Sequence, residues 1–194
     1  MNKTDLVDDS QQWTSFKTGS KDAFEYLFKS YADKLFNYGS KFTTDKALVK
    51  DCIQELFINL WNRKDNLGNP ADLKNYLFKA FRINLSKSVV FDNKFSSIDD
   101  GPLFEITISR EAQLISEEYQ LDIKTKLEAA LKELSVRQYE VVFLRYYEGL
   151  SFEDIAEIME LSPKGTYKVL GRAIAVLRKN LSKTDFQFIF LCFS

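Results

Sequence analysis

Apolar residues recur at three- and four-residue steps along most of the chain, a spacing that predicts amphipathic helices. Helical patterning begins near Trp13 and continues through AFEYLFKSYADKLFNYGSKF, where the recurring residues are Phe24, Leu27, Phe28, Tyr31, Leu35 and Tyr38. Residues 43–45, TTD, supply an N-cap for a further helix, which we expect to run to about Trp61. The Gly, Pro, Asn and Asp content of residues 65–73, DNLGNPADL, predicts a loop, and LKNYLFKAFRINLSKSVV predicts a third long helix.

The helical period is lost over residues 92–110, where Ser, Asp, Gly and Pro are frequent, and it returns from about Ile123 to Leu181. The segments LEAALKEL and VRQYEVVFLRYYE predict two amphipathic helices, and GLS predicts a turn after them. Ser151 is then the expected N-cap of FEDIAEIMEL, with Asp154 completing a capping box. The chain is therefore predicted to be all-α, with two small helical domains joined by a flexible acidic linker.

The last predicted helix combines an apolar stripe with a basic face. Ser162 is its expected N-cap and Pro163 its first residue, where a missing N–H costs nothing. The predicted buried stripe comprises Tyr167, Leu170, Ile174, Leu177 and Leu181, and the opposite face carries Lys164, Lys168, Arg172 and Lys179. A short helix, a tight turn and a longer helix with a basic outer face are typical of a helix-turn-helix, whose second helix enters the major groove of DNA.

The stretch DCIQELFINLW, residues 51–61, places one apolar residue on a polar face. Ile53, Leu56 and Leu60 form its predicted buried stripe. Ile58 falls on the opposite face, surrounded by Asp51, Gln54, Glu55 and Asn62. Two interpretations remain open at this point: a solitary exposed apolar residue, which is common, or the centre of a surface that docks on another protein.

Composition excludes several classes of function. The chain has 194 residues, of which 45% are apolar, and only seven Gly and three Pro, which favours helices. It has no histidine, so Cys52 and Cys192 cannot join one in a zinc site or a nucleophile pair. No phosphate-binding glycine motif or nucleophile-elbow motif occurs. We therefore expect no enzymatic activity, no catalytic residues, no metal and no cofactor.

The N-terminus resembles no signal peptide, and no apolar run approaches the roughly 20 residues of a membrane span. A cytoplasmic protein without membrane contact is the expectation.

Charge is unevenly distributed, although the formal net charge is only −1. Residues 133–160 carry seven acidic and two basic side chains, whereas residues 162–183 carry six basic and no acidic ones. Residues 74–94 carry five basic side chains and one acidic, and residues 95–124 carry seven acidic and two basic. The basic segments favour contact with nucleic acid, while repulsion from the acidic segments predicts weak binding of the free protein to DNA.

Two segments resemble bacterial extracytoplasmic-function (ECF) sigma factors, in the family's order and with a linker between them. The segment RQYEVVFLRYYEGLSFEDIAEIMELSPKGTYKVLGRAIAVLRK resembles region 4, which reads the minus-thirty-five promoter element. The segment DAFEYLFKSYADKLFNYGSKFTTDKALVKDCIQELFINLWNRKDNLGNPADLKNYLFKAFRINL resembles region 2. The resemblance implies an alternative sigma factor that binds core RNA polymerase and directs promoter recognition, DNA melting and transcription initiation. The predicted divisions are region 2 at 13–91, a linker at 92–122, region 4 at 123–183 and an apolar tail at 184–194.

The resemblance also implies which residues meet the polymerase. In the family, the helix matching DCIQELFINLW docks on the clamp helices of the β′ subunit, and the β subunit is a further expected partner. Carried over by position, the expected contacts are Asp51, Gln54, Glu55 and Ile58. An apolar centre inside a polar rim is how specific protein interfaces are built, which favours the docking interpretation of Ile58.

The following helix matches the family segment that takes the minus-ten element of the promoter. Melted DNA needs aromatic or apolar pockets, amide edges and cations, and NYLFKAFRINLSK interleaves these types. The expected DNA contacts there are Asn75, Tyr76, Lys79, Arg82, Asn84 and Lys87. The loop from Asp65 to Leu73 matches the family segment that holds a flipped base.

In region 4 the expected DNA contacts are Lys164, Thr166, Lys168, Arg172 and Lys179. Family members commonly have Ser-x-x-Thr here, whereas this chain has one more residue between Ser162 and Thr166. No Asn, Gln or Arg occupies the first two turns, and Tyr167 is predicted to point inward. We therefore expect the minus-thirty-five contact to supply affinity with little choice of sequence.

Two alternatives stay open: a stand-alone helix-turn-helix regulator that binds DNA by itself, and an interaction protein in which both basic faces are only solvated. The tail FQFIFLCFS is expected to pack back onto region 4 or to dock on a partner such as an anti-sigma protein. A second DNA-bound protein that recruits the polymerase is a further expected partner.

Overall fold

The structure is a computed structural model that describes residues 3–89 and 117–186. The chain divides into two compact units, Met1–Val90 and Phe91–Ser194. Every regular element within the described residues is helical, which confirms the predicted all-α class. Most of the predicted linker at 92–122 and of the predicted tail at 184–194, Cys192 included, lies outside the described residues.

The first unit contains four helices: α1 (Lys3–Lys17), α2 (Lys21–Gly39), α3 (Lys46–Arg63) and α4 (Leu73–Ser88). The apolar pattern runs on from α1 to α2, but the chain breaks between them. Gly19 adopts a φ of +91°, which glycine tolerates and other residues rarely do, and Ser20 caps α2 by accepting a hydrogen bond from the Ala23 N–H. At its other end, α1 begins at Lys3, well before the predicted start near Trp13.

The predicted cap of α3 is present, and α4 also begins at an aspartate cap, which the sequence analysis had not predicted. Asp45 accepts a hydrogen bond from the Leu48 N–H at the start of α3, and a 3₁₀ turn (Lys64–Asn66) follows that helix. Asp72 accepts one from the Asn75 N–H at 2.9 Å and so starts α4 after the predicted loop. These carboxylates satisfy N–H groups that have no partner within the helix.

The core of the first unit is built from all four helices, and α1 contributes the buried Trp13 and Phe16. Most of the predicted apolar positions are buried, including Leu35 and Tyr38 on α2 and Ile53, Leu56 and Leu60 on α3, whereas Phe24 and Phe28 are half-buried. Gly39 lies where α2, α3 and α4 meet: a Cβ there would be 2.8 Å from the Val49 side chain and 2.9 Å from the Phe81 ring. Only glycine permits this close approach, and a larger residue would push the helices apart.

The second unit contains α5 (Glu117–Lys132), α6 (Val136–Val142), α7 (Phe152–Ile158) and α8 (Pro163–Asn180). The segment after α6, Phe143–Tyr147, forms a π-helical turn that the sequence did not predict. Ser151 and Asp154 form the predicted capping box of α7. Ser162 caps α8 through the Gly165 N–H, and Pro163 occupies its first position, as predicted.

The buried face of α8 differs from the prediction at one position. Leu170, Leu177 and Leu181 are buried, and Ile174 is half-buried. The assignment of Tyr167 to this stripe is wrong, since that side chain is 53% exposed. Thr166 takes its place at 0% exposure, because its spacing of four residues to Leu170 fits the helix and its hydroxyl donates to the Ser162 carbonyl oxygen at 3.3 Å.

Within the described residues, no helix has the length and apolar character that a membrane span needs.

Candidate polymerase and promoter interfaces

Helix α3 presents a polar face with one apolar residue at its centre. Asp51, Gln54, Glu55 and Ile58 are all exposed, and Ile58 keeps 57% of its surface in solvent. At about 100° per residue these four positions fall within an arc of about 100°. Over the described residues, Ile58 and Tyr167 are the two large apolar side chains that are exposed. The structure therefore brings the four predicted polymerase contacts together on one surface, which we call the α3 face.

The carboxylates of Asp51 and Glu55 make the α3 face negatively charged around its apolar centre. Burial raises the pKa of the neighbouring Cys52 thiol, and the charges of Glu55 and Asp51 raise it further, while a hydrogen bond with Ser88 opposes them. No ion pair with either carboxylate is found in residues 3–89 and 117–186. The surface is thus suited to a partner that is basic and offers an apolar contact.

Helix α4 carries the predicted minus-ten contacts at different depths. Lys87 is exposed, and Tyr76, Lys79 and Arg82 are half-buried. At about 100° per residue these four lie within an arc of about 140°, so they share one face. Half-buried Asn84 lies at the margin of the buried side of the helix.

The prediction of a DNA contact at Asn75 is not supported by this geometry. Its side chain is 7% exposed, and its Oδ1 is buried without a hydrogen-bond partner among the described residues. Its backbone N–H serves the Asp72 cap at the start of α4. Leu73 and Lys74, in the same turn of α4, are buried as well.

An open cavity lies between α1 and the loop that precedes α4. Trp13 Nε1 donates to the Gly68 carbonyl oxygen at 3.0 Å, and Lys17 Nζ donates to Asn69 Oδ1 at 3.0 Å, so α1 fixes the loop at two points. The cavity is lined by Asp9, Ser10, Trp13, Thr14, Tyr31, Asn69, Pro70, Ala71, Asp72, Leu73 and Lys74. We refer to it as the α1–loop cavity.

The α1–loop cavity is lined by a tyrosine, Tyr31, whose hydroxyl has a raised pKa. Tyr31 donates a hydrogen bond to the Asp9 carboxylate, and burial together with that bond raises the pKa of Tyr31 well above its usual value. The Tyr31 hydroxyl therefore links α2 to Asp9 of α1 as a protonated donor. The sequence did not predict the hydrogen bond between Tyr31 and Asp9. It joins two helices across the break at Gly19, and helical periodicity does not encode such a contact.

Helix α8 exposes a basic face. The predicted contacts Lys164, Lys168, Arg172 and Lys179 are all exposed. Thr166, the fifth predicted contact, is completely buried, so its side chain has no surface to offer to DNA and that prediction is not supported. Tyr167 is exposed on this helix instead, and its ring stacks on Phe152 of α7, with centroids 3.9 Å apart and planes at 22°.

Comparison with known proteins bears on both units. Residues 124–177 match the family model "Sigma-70, region 4". The RNA polymerase sigma factor YlaC of Bacillus subtilis is 25% identical over 168 residues, which cover 84% of this chain and 95% of that protein. The ECF RNA polymerase sigma factor SigX of the same organism is 23% identical over 83% of this chain and 84% of its own length. The ECF factor SigL of Mycobacterium tuberculosis is 28% identical over 162 residues, 81% of this chain and 88% of its own length.

The chain is an ECF sigma factor. As an alternative sigma factor it directs transcription initiation, and sigma factors do so by binding core RNA polymerase and promoter DNA. Two solved structures share the fold of this sigma factor. CnrH, solved in complex with the cytosolic domain of CnrY, aligns with a TM-score of 0.61 at 19% identity and covers 88% of this chain and 95% of that one. RpoE of Bartonella quintana, solved with the anti-sigma factor NepR, aligns with a TM-score of 0.56 at 22% identity and covers 84% and 99%.

Proposed function

We propose that this sigma factor docks on core RNA polymerase through the α3 face and contacts promoter DNA through the exposed faces of α4 and α8. The observation that carries the proposal is the exposure of Ile58 among Asp51, Gln54 and Glu55. An apolar hot spot inside a polar rim supplies affinity, while the carboxylates steer the approach of a basic surface. The β′ clamp helices are the proposed partner of this face.

Helix α4 is the proposed contact with the minus-ten strand. Lys79, Arg82 and Lys87 lie on one face with Tyr76, so cations for phosphate stand beside an aromatic ring. Tyr76 packs edge-to-face on Trp13, with centroids 5.6 Å apart, which holds its ring in a fixed orientation. Unstacked bases are recognised by this combination of aromatic surface and neighbouring positive charge.

The α1–loop cavity is the proposed site for one flipped base. The residues that line it include aromatic Trp13 and the polar residues Asn69 and Asp72. A flipped base needs an aromatic or apolar face to replace stacking and polar groups to meet its edge. The bonds from Trp13 and Lys17 to the loop support a preformed site, since they order the loop before DNA arrives.

Reconstitution with core polymerase tests the proposed function. We expect the purified chain and core RNA polymerase to form a stable complex that starts transcription at a defined promoter. A chain that bound promoter DNA specifically without polymerase would be a stand-alone regulator. A chain that did neither would be an interaction protein with solvated basic faces, and the proposed docking would be refuted.

An anti-sigma protein is a further proposed partner. RpoE of Bartonella quintana, which has this fold, was solved bound to one. We further propose that the sigma factor works in the cytoplasm, where core polymerase is found. It would contribute binding rather than catalysis to initiation and would require no cofactor.

A further inference from the structure

Tyr167 lies in the second turn of α8, the helix proposed above to enter the major groove. In the sequence it lies between Lys164 and Lys168, and 53% of its surface is exposed. A single exposed aromatic residue needs no explanation by itself. The contacts that hold the Tyr167 ring and the surface around it both indicate a function for this residue.

The Tyr167 ring is held in place by a three-layer stack. It lies on Phe152 with centroids 3.9 Å apart, and the Arg145 guanidinium lies 4.8 Å from the Phe152 centroid on α7. Arg145 is itself fixed, because its Nη1 donates to the Leu150 carbonyl oxygen at 2.7 Å. Stacking covers one face of the Tyr167 ring and orders it, while the rest of its surface stays open to solvent.

The surface beside Tyr167 is flat. Gly171 lies one helical turn further along the same side of α8, and a Cβ placed there would meet no atom within 4 Å. The absence of a side chain at this position leaves the ring as the most prominent apolar group of the exposed helix face. It also lets the backbone of α8 approach a ligand closely.

We propose that Tyr167 is a specificity-determining residue that reads the C5-methyl group of a thymine in the upstream promoter element. In the major groove this methyl group is the apolar feature that marks a T·A pair, and apolar side chains read it by contact. Phe152 is then a positioning residue, and Lys164 and Lys168, which lie together on the neighbouring part of the α8 surface, anchor the helix on phosphate. The inference rests on the proposed placement of α8 in the major groove, and it replaces the expectation that this contact has little sequence choice.

Deoxyuridine is the probe for this contact, since it differs from thymidine only in lacking the methyl group. Holoenzyme would be tested on a promoter found from its start sites, with each upstream thymine on either strand replaced in turn. At one position we expect initiation by the wild-type protein to fall about fourfold, the value of burying one methyl group. Tyr167→Ala should abolish that preference, and Tyr167→Phe should keep it, because the ring and not the hydroxyl makes the contact.

Lys168→Ala separates this inference from the proposed function. It should weaken initiation on every template alike, whichever base is present, since it removes a phosphate contact. If it does so while the wild-type protein treats thymine and deoxyuridine alike at every position, α8 contacts the promoter but the reading by Tyr167 is refuted. A preference that persists in Tyr167→Ala, with an unchanged helical circular dichroism spectrum, would also refute it. If neither Lys168→Ala nor any deoxyuridine has an effect, both claims fail.

Discussion

Trp13 Nε1 donates a hydrogen bond to the Gly68 carbonyl oxygen at 3.0 Å, and so ties α1 to a loop 55 positions away in the sequence. The ring of the same Trp13 packs on Phe16 and Tyr76, with centroids 5.2 and 5.6 Å away. One side chain therefore connects the first helix, the loop and the start of α4. The α1–loop cavity owes its shape to this connection, because the loop itself contains Gly68 and Pro70 and no regular structure after Asn66.

Trp13→Phe should impair promoter melting and leave polymerase binding unchanged. The substitution keeps an aromatic ring in the core but removes the N–H that holds Gly68. A hydrogen bond is worth about 1 kcal/mol, so we expect open-complex formation to fall about fivefold. Trp61→Phe is the control, since Trp61 belongs to the same aromatic cluster through Phe16 and Phe24. Equal melting by the two variants would show that the loop does not depend on Trp13.

Arg82→Ala combined with Lys87→Ala should reduce melting more than association with polymerase. Both side chains lie on the α4 face that we propose to hold the minus-ten strand. Removing two phosphate contacts destabilises the open complex, while the α3 face is untouched. Permanganate footprinting of melted thymines measures the effect, with Lys21→Ala, an exposed lysine on α2, as the control. Normal footprints in the double variant would exclude α4 from melting.

Glu160→Gly should stabilise the second unit. Glu160 has a φ of +53°, and the Leu161 N–H donates to the Ala156 carbonyl oxygen at 2.8 Å, so the turn between α7 and α8 closes in a geometry that favours glycine. We expect the substitution to raise the free energy of unfolding by about 0.5–1 kcal/mol and the Tm by a few degrees. Glu160→Ala is the control, because it removes the charge and keeps the Cβ. A Tm that rose equally in both would attribute the gain to charge instead.

The free sigma factor should bind promoter duplex only weakly at an ionic strength of about 0.15 M. Its net charge is −1, and acidic segments flank the basic faces of α4 and α8. Titration of a labelled promoter duplex at several salt concentrations measures the affinity, and core polymerase added afterwards should increase it sharply. Tight, sequence-specific binding by the chain alone would favour a stand-alone regulator.

Features set by neighbouring residues were predicted well from the sequence. The caps at Asp45, Ser151 and Ser162 each act on an N–H three residues later, so the short sequence pattern contains both partners. The exposure of Ile58 also followed from helical periodicity, because α3 is long and its buried stripe is unambiguous. The resemblance to ECF sigma factors was confirmed as well.

Features set by distant contacts were not predicted. Thr166 and Tyr167 both have helical spacing to Leu170, and hydrophobicity favours the tyrosine as the buried one. In the structure Thr166 is the buried residue, because its hydroxyl donates to the Ser162 carbonyl oxygen. The Tyr167 ring instead stacks on Phe152 of α7. Trp13 similarly appears in the sequence as an ordinary apolar position, and its bond to Gly68 depends on how α1 packs.

The affinity of the Ile58→Asp, Gln54→Ala double variant for core RNA polymerase tests the central claim most directly. Asn59→Asp is the matched control: it introduces the same carboxylate at an exposed neighbouring position about 100° around α3. Losing a hot spot costs at least about 2 kcal/mol, so we predict at least about thirtyfold weaker binding for the double variant, near-normal binding for the control, and normal helical content for both. Unchanged affinity of the double variant for core polymerase would contradict docking through the α3 face.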